Sequence, residues 1–515
     1  MVWNKVTNVL DRGNEDSPEK DEIPLTMDAL RQILVNMSDA EVIERTALDE
    51  RTITLLYIKT LIDLERLNES VIGPLSVLSD NTVCECITAS SISEVTGQQK
   101  AKLLLMQGSV LVHDDRIDRW WAVSLPSSLG RSIESSDTET IILGPKDSFS
   151  EKIDENITLI RRRLPTPDLK TEQFSVGSLS KTTIVIMYME GITNPKHVAI
   201  AREKIEAIDY DMILEASHLG FFMEDHVHSV FPQFMQTDRP DASAYYLGTG
   251  KLVIMVGGTP FVLIAPMTFF HLFHSPEDYI NRWLVASFLR LVRYLSFMLS
   301  ITLIPLYVAL TTHHYQMVPL QILFVLLDSR SKLPFTPFWE ACCMLITLEI
   351  MKEASLRMPA KSGQTLGVIG GIVIGQAAVE AGFASKVLIV LVGISAIASF
   401  LVPNYMITKA NTMVQFALLI LASYLGLLGV VLGIILLLIH LNGLSSLKQP
   451  YFAPVAPFFW RDWKDLFIRA PLPSLRSRPL FLNPLKKWIC AAYAPVSGSS
   501  QYGLGHHRRW HYIQH

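Results

Sequence analysis

The first half of this chain lacks any long apolar run, and its amino terminus lacks the apolar core of a secretory signal. Residues 1–14 read MVWNKVTNVLDRGN. A signal peptide would need about 7 to 15 consecutive apolar residues there. We therefore expect the amino-terminal half to be water-soluble and to stay in the cytosol.

Basic charge and cysteine are also scarce. The chain has 45 Lys and Arg against 49 Asp and Glu, a net charge of -4, which gives no basic footprint for nucleic acid. Its 5 cysteines have no zinc-type spacing, so we expect reduced thiols, no metal site and no cofactor. No nucleophile motif appears, so we expect no enzyme and no catalytic residues.

Long apolar runs are present in the second half. Gln415–Leu441 carries no formal charge, and its 27 residues exceed the roughly 20 that a helix needs to cross a bilayer. Four apolar segments precede it: Trp283–Leu310, the weaker pair Val318–Leu327 with Phe338–Ile350, Leu366–Ala381 and the clear segment Val387–Val402. Besides Glu380 in Leu366–Ala381, four charged residues fall inside these segments: Arg290, Arg293, Glu340 and Glu349. Such charges are costly in lipid and tend to have functional partners.

The predicted architecture is an α/β cytosolic region of two subdomains followed by an all-α multi-pass transmembrane domain. The predicted boundaries are 1–24 (disordered leader), 25–150 and 151–280 (two α/β subdomains), 281–442 (transmembrane domain) and 443–515 (cytosolic tail). In the soluble half we predict a helix over Thr54–Leu67, a strand over Leu103–Met106 and a hairpin of Leu252–Val256 with Phe261–Ile264. No internal repeat is apparent.

Basic residues near the spans predict the orientation. Lys352, Arg357 and Lys361 place the connector after the second segment inside, together with both termini. Thr311–Met317 and Pro403–Val414 would then lie outside. Four complete spans satisfy this arrangement, with Leu366–Ala381 re-entrant or embedded. The alternative is six spans.

Small residues and one carboxylate distinguish the third segment. Gly367, Gly371 and Gly375 recur every fourth residue, a stripe that lets helices pack closely in lipid. The opposite face carries the gate-like set Ile369, Val373, Gln376 and Glu380. An aliphatic ring beside a carboxylate ring suits a dewetting gate in an oligomeric cation pore. Alternatively, Glu380 pairs with Lys361 or Lys386 near the interface.

Several collinear motifs carry a family resemblance. They are RRRLPTPDL (Arg161–Leu169), FPQFMQTDRPD (Phe231–Asp241), GGTPFVLIAP (Gly257–Pro266), SPEDY (Ser275–Tyr279), YVALTTHHYQM (Tyr307–Met317), GQTLGVIGGIVIGQAAVEAG (Gly363–Gly382) and ASFLVPNY (Ala398–Tyr405). Together they resemble the A subunit of the nutrient germinant receptors of bacterial endospores. The resemblance covers Leu25–Pro484 and does not extend to Leu485–His515.

The resemblance implies a multi-pass protein of the spore inner membrane. It implies two partners, a transporter-like B subunit that binds the nutrient and a lipoprotein C subunit. It also implies homo-oligomers, pentamers in the family, that form a nutrient-gated cation channel with its pore segment at Gly363–Gly382. A secondary transporter and a non-conducting scaffold or sensor remain as alternatives.

Overall fold

An α/β region, a helical region and a short tail follow one another along the chain. A computed structural model describes residues 25–47, 50–76, 82–127, 144–331, 333–357, 373 and 375–489. The α/β region holds two five-stranded sheets. Long apolar helices follow it. The predicted fold class is confirmed.

The first sheet is antiparallel, with strand order β1-β2-β4-β5-β3. Its elements are α1 (Met27–Leu34), β1 (Ala40–Thr46), β2 (Thr52–Ile58), α2 (Leu64–Leu67), α3 (Gly73–Ser76), α4 (Val83–Cys86), β3 (Ile92–Glu94), α5 (Gln98–Met106), β4 (Ser109–Asp114) and β5 (Arg119–Ser124). Apolar clusters cover both faces of this sheet.

Two predictions in this unit are wrong. The helix predicted over Thr54–Leu67 begins inside strand β2, and the strand predicted over Leu103–Met106 is the last turn of helix α5. Strand β2 is buried on both faces, so its apolar run lacks the alternation that marks a half-exposed strand. Tertiary burial, which the local pattern does not encode, decides both segments.

The second sheet has strand order β6-β7-β9-β10-β8 and is also antiparallel. Its elements are α6 (Ile153–Arg163), β6 (Leu169–Val176), β7 (Thr182–Met189), α7 (Pro195–Glu206), α8 (Ala216–Met223), β8 (Met235–Thr237), α9 (Pro240–Thr249), β9 (Leu252–Val256) and β10 (Val262–Ala265). Strands β9 and β10 form the hairpin predicted from the sequence, and Gly258 in its turn has a φ of +84°.

The two sheets are built on the same plan. In each, the first two strands pair, the last two pair beside them, and the middle strand joins the far edge. A helix precedes the first strand of each sheet, and another precedes its fourth strand. The sequence did not predict this repeat of topology, which lies in the order in which the strands pair.

The helical region packs against the second sheet. It comprises α10 (Glu277–Ile280), α11 (Trp283–Thr312), α12 (Leu320–Arg330), α13 (Pro337–Leu356), α14 (Gly375–Glu380), α15 (Lys386–Phe400), α16 (Tyr405–Leu425) and α17 (Leu427–Gly443). Trp283–Thr312 and Tyr405–Leu425 are each long and apolar enough to cross a membrane. Strands β11 (Ser445–Ser446) and β12 (Gln449–Pro450) open the tail.

The run Gln415–Leu441 is not one helix, which corrects the prediction of a single span. Gly426, with a φ of +61°, ends α16, and α17 folds back against it. A Cβ on Gly429 would stand 2.1 Å from the carbonyl oxygen of Leu421, so the two helices touch where only glycine fits. The residues on both sides of the turn are apolar, so hydrophobicity alone does not show where α16 ends and α17 begins.

The segment Pro403–Val414 lies at the opposite end of the helices from Thr311–Met317. His313 bonds to the carbonyl oxygen of Ser423, whereas Lys409 lies 3.0 Å from Glu353 at the other end. The expectation that both segments lie on the same side is therefore wrong. Helix α16 runs parallel to α11, and the turn at Gly426 adds a helix, α17, that the sequence did not predict.

Candidate functional site

A buried ionic cluster joins the α/β region, helix α11 and the tail. Arg290 donates from Nε to Asp278 Oδ2 at 3.2 Å and from Nη1 to Asp465 Oδ1 at 2.9 Å. Arg293 donates to both carboxylate oxygens of Asp278 at 2.9 and 2.8 Å. We call Asp278, Arg290, Arg293 and Asp465 the junction cluster.

The spacing of its two arginines explains how the cluster forms. Residues three apart on a helix share a face, so Arg290 and Arg293 point to the same side of α11. Arg290 is fully buried and Asp278 is 1% exposed. A desolvated ion pair is strongly destabilised when one partner is lost, by about 3–5 kcal/mol. The cluster therefore holds three parts of the chain in one register.

Neutral and aromatic groups surround the junction cluster on the α/β side. Burial, and then the positive charges of Lys251 and Arg290, lower the pKa of His271 well below its usual range. Burial likewise lowers the pKa of His274, with Arg290 adding to the effect. Tyr279 donates to Asp465 at 2.8 Å, and burial raises the pKa of Tyr279 well above its usual value. These groups therefore stay uncharged around the four ions.

Polar side chains connect helices α11, α15 and α16 midway along their length. Asn411 donates to the hydroxyl of Ser300 at 2.7 Å, and Gln415 donates to the hydroxyl of Ser395 at 3.0 Å. Ser395 in turn donates to the backbone carbonyl of Ser300 at 3.1 Å. Hydrogen bonds between apolar helices fix their register because the groups have no alternative partner in lipid.

Glu340 occupies a second polar contact at the end of the helices away from the α/β region. Its Oε1 accepts the backbone N–H of Ser385 at 2.6 Å, and the Ser385 hydroxyl lies 3.2 Å from that of Tyr307. Glu340 is 1% exposed. Since Glu340 lies in the first turn of α13 and Ser385 precedes α15, this contact aligns the starts of two helices.

Glu349 belongs to a charged group at the other end of α13. It lies 3.4 Å from Lys352 and from the hydroxyl of Thr412. Lys352 reaches Ser399 near the end of α15 at 3.4 Å, and Glu353 pairs with Lys409. Helices α13 and α15 are therefore parallel, since both their starts and their ends meet.

The structure describes only part of the gate-like set. Ile369, Gly367 and Gly371 lie outside the described residues. Val373 is exposed, and Gln376 donates to Glu380 at 3.0 Å with both side chains exposed. Gly375 begins α14, where an added Cβ would meet Ile389 at an ordinary 3.8 Å. The gate-like face thus presents Val373, Gln376 and Glu380 to the surface of a single chain.

The sequence pointed to the two arginines and missed their partners. Asp278 lies within the motif SPEDY, and Asp465 lies in the tail, 175 residues from Arg290. Two cations on one face of an apolar helix require counter-charges. The sequence could therefore predict that acidic partners exist. Nothing local identifies the aspartate 175 residues away.

The fold and the site define a class of protein: a duplicated α/β region fixed by buried ion pairs to a bundle of apolar helices. The sequence model of the Bacillus/Clostridium GerA spore germination protein matches residues 28–481. The chain belongs to this GerA family of spore germination proteins.

Curated relatives match over most of their own length. The chain is 38% identical to spore germination protein GerQA of Bacillus cereus, over 88% of this chain and 91% of that protein. It is 36% identical to spore germination protein KA of Bacillus subtilis, over 84% and 81%. It is 33% identical to the uncharacterized membrane protein YfkQ of Bacillus subtilis, over 82% and 84%.

One solved structure is similar to the α/β region in sequence. The N-terminal domain of the A subunit of the Bacillus megaterium spore germinant receptor GerK3 matches 47% of this chain and 94% of its own. The identity is 30% and the TM-score is 0.37.

Proposed function

We propose that the chain is the A subunit of a spore nutrient germinant receptor and that its copies assemble into a nutrient-gated cation channel in the spore inner membrane. The family match over residues 28–481 is the observation that carries the proposal. The transporter-like B subunit would bind the nutrient, the lipoprotein C subunit would complete the receptor, and no chemistry by this chain is required.

The course of the helices supports six membrane crossings. Helix α11 leaves the α/β region, α13 returns, α15 runs parallel to α13, α16 runs parallel to α11, and α17 returns to the tail. Because α13 and α15 are parallel, the chain between Arg357 and Ser385 joins opposite ends of the bundle. One further crossing there gives an even number and keeps both termini in the cytosol.

The exposed end of the third segment supports a pore made by several copies. Val373 and the Gln376–Glu380 pair face away from their own bundle. A ring of copies would bring Ile369 and Val373 to an axis, where a narrow aliphatic ring excludes water and blocks ions. Glu380 would then attract cations at the mouth, and Gly367, Gly371 and Gly375 would allow close packing.

Ion flux in vesicles tests the proposal. The chain is reconstituted with its B and C subunits, and cation flux is followed with and without nutrient. We expect passive, nutrient-dependent flux, leak without nutrient for Val373→Ala, and weaker cation preference for Glu380→Gln. Val373→Ile is the matched control for Val373→Ala, because it keeps the ring aliphatic and branched and should leave the pore closed without nutrient.

The outcomes separate the three functions. Flux coupled to movement of the nutrient itself would indicate a secondary transporter. Absence of flux in intact complexes would indicate a scaffold or sensor. If Val373→Ala stays closed and Glu380→Gln conducts like the unaltered chain, this face does not line a pore.

A further inference from the structure

Aromatic side chains are exposed in the tail just after helix α17. Phe458 is 60% exposed and Trp460 is 73% exposed. Their rings lie 6.0 Å apart, and Trp463 lies 5.3 Å from Phe458 and 6.1 Å from Trp460. Arg461 and Lys464, both exposed, alternate with these rings. We call Phe458, Trp460, Arg461, Trp463 and Lys464 the tail aromatic patch.

A continuous row of rings fixes the position of the patch along helix α11. Trp463 contacts Phe467 with ring centres 5.9 Å apart, and Phe467 contacts Tyr294 of α11 at 5.1 Å. Asn411 of α16 bonds to Ser300 of α11, and the two helices are parallel, so Tyr405 at the start of α16 lies level with Tyr294. The patch therefore lies beside Tyr294, at the level where α16 begins.

The length of α11 places Tyr294 relative to the bilayer. The 30 residues of α11 are about 45 Å long, and a bilayer core is about 30 Å thick. Roughly ten residues therefore remain outside the core, and the junction cluster occupies this first part with Arg290 and Arg293. Tyr294 follows directly, so it falls at the cytosolic boundary of the hydrocarbon.

We propose that the tail aromatic patch is an interfacial anchor that inserts Phe458 and Trp460 into the headgroup layer and binds anionic lipid. Trp and Tyr side chains favour this layer because one end of the ring system is apolar and the other polar. Arg461 and Lys464 supply the positive charge that an anionic surface attracts. The patch would hold the tail, and through Asp465 the junction cluster, against the membrane.

This inference rests on the proposed membrane crossing and is independent of channel activity. The test uses the full chain in nanodiscs whose lipids carry bromine near the headgroup end of the acyl chains, since bromine quenches nearby indoles. Trp460→Phe should remove part of the quenched emission. Trp488→Phe is the matched control, because Trp488 is 61% exposed but lies in the part of the tail held at Gly248 through Arg478.

A second control separates the anchor from the crossing. Trp339, 57% exposed on helix α13, should be quenched if the helices cross the bilayer at all. If Trp339→Phe removes quenched emission and Trp460→Phe does not, the anchor is overturned while the crossing stands. If neither removes any, the membrane crossing itself fails.

The final experiment varies the charge of the lipid and of the tail aromatic patch. Raising the phosphatidylglycerol content of the nanodisc should increase quenching of Trp460, and the double variant Arg461→Gln/Lys464→Gln should remove this dependence. Arg476→Gln, an exposed tail arginine beyond the patch, should leave it unchanged. Trp460 emission that responds to a second protein subunit and not to brominated lipid would identify a protein interface and overturn the proposal.

Discussion

Arg161 binds both carboxylate oxygens of Asp39, 122 residues earlier in the chain, through two hydrogen bonds of 2.6 Å. Thr60 and Thr171 also donate to this carboxylate, at 2.8 and 2.9 Å. Asp39 precedes the first strand of the first sheet, and Arg161 lies in the last turn of the helix before the second sheet. One buried ion pair therefore fastens the two α/β units together.

Asp39→Asn should destabilise the α/β region by about 3–5 kcal/mol, because Arg161 would keep its charge in a buried site without a counter-ion. Thermal unfolding of the full chain in detergent measures this. Arg31→Gln is the control: its ion pair with Glu44 is exposed, so its loss should cost about 0–1 kcal/mol. Equal losses of stability for Asp39→Asn and Arg31→Gln would contradict the prediction that the buried ion pair contributes more than the exposed one.

The same ion pair gives a defined dependence on pH. Burial alone would raise the pKa of Asp39, but the charge and hydrogen bonds of Arg161 outweigh it and lower the pKa below 3.8. A carboxyl with a lowered pKa stabilises the fold above its unfolded pKa and loses that contribution as pH falls through the folded value. Unfolding free energy should therefore drop below pH 3.8, by an amount that Asp39→Asn abolishes.

Arg290→Gln should loosen the tail from helix α11. It removes the counter-charge of Asp465 and leaves Asp278 paired with Arg293 alone, so we expect a loss of about 3–5 kcal/mol and faster proteolytic cleavage after residue 444. Arg282→Gln, at an exposed position just before the same helix, should change stability by about 0.5 kcal/mol or less. A tail that stays resistant to protease in Arg290→Gln would show that apolar packing alone holds it.

Gly429→Ala should disrupt the turn between α16 and α17. The added methyl would overlap the Leu421 carbonyl, and overpacking of this kind costs about 1–3 kcal/mol. Gly443→Ala, in the same helix with open space around it, should be tolerated. Thermal denaturation in detergent compares the two variants directly; a larger loss for Gly443→Ala would refute the close approach.

Cysteine labelling tests the direction of the helices. With native cysteines replaced, an impermeant thiol reagent applied from outside should label a cysteine substituted for Thr312 and spare one substituted for Tyr405. These positions lie at opposite ends of the parallel helices α11 and α16. Labelling of both positions from outside would restore the four-span arrangement.

Local chemistry in the sequence predicted local features well. The hairpin turn with Gly257 and Gly258 required glycine, and the structure has it there. The buried arginines of α11 were recognisable because charge in an apolar helix is rare. Local sequence patterns could not predict contacts between residues that are distant in sequence. The pairs Asp465 with Arg290 and Asp39 with Arg161, and the fold-back of α17, all depend on the packing of remote segments.

The shared plan of the two sheets has a consequence for synthesis on the ribosome. The first unit contains its own apolar clusters on both faces of its sheet, so it can complete its core while the second is still being made. Asp39 then remains hydrated until Arg161 emerges, 122 residues later. Docking of the two units is therefore a late event in translation, because Arg161 and Thr171, which bind Asp39 from the second unit, follow it by 122 and 132 residues.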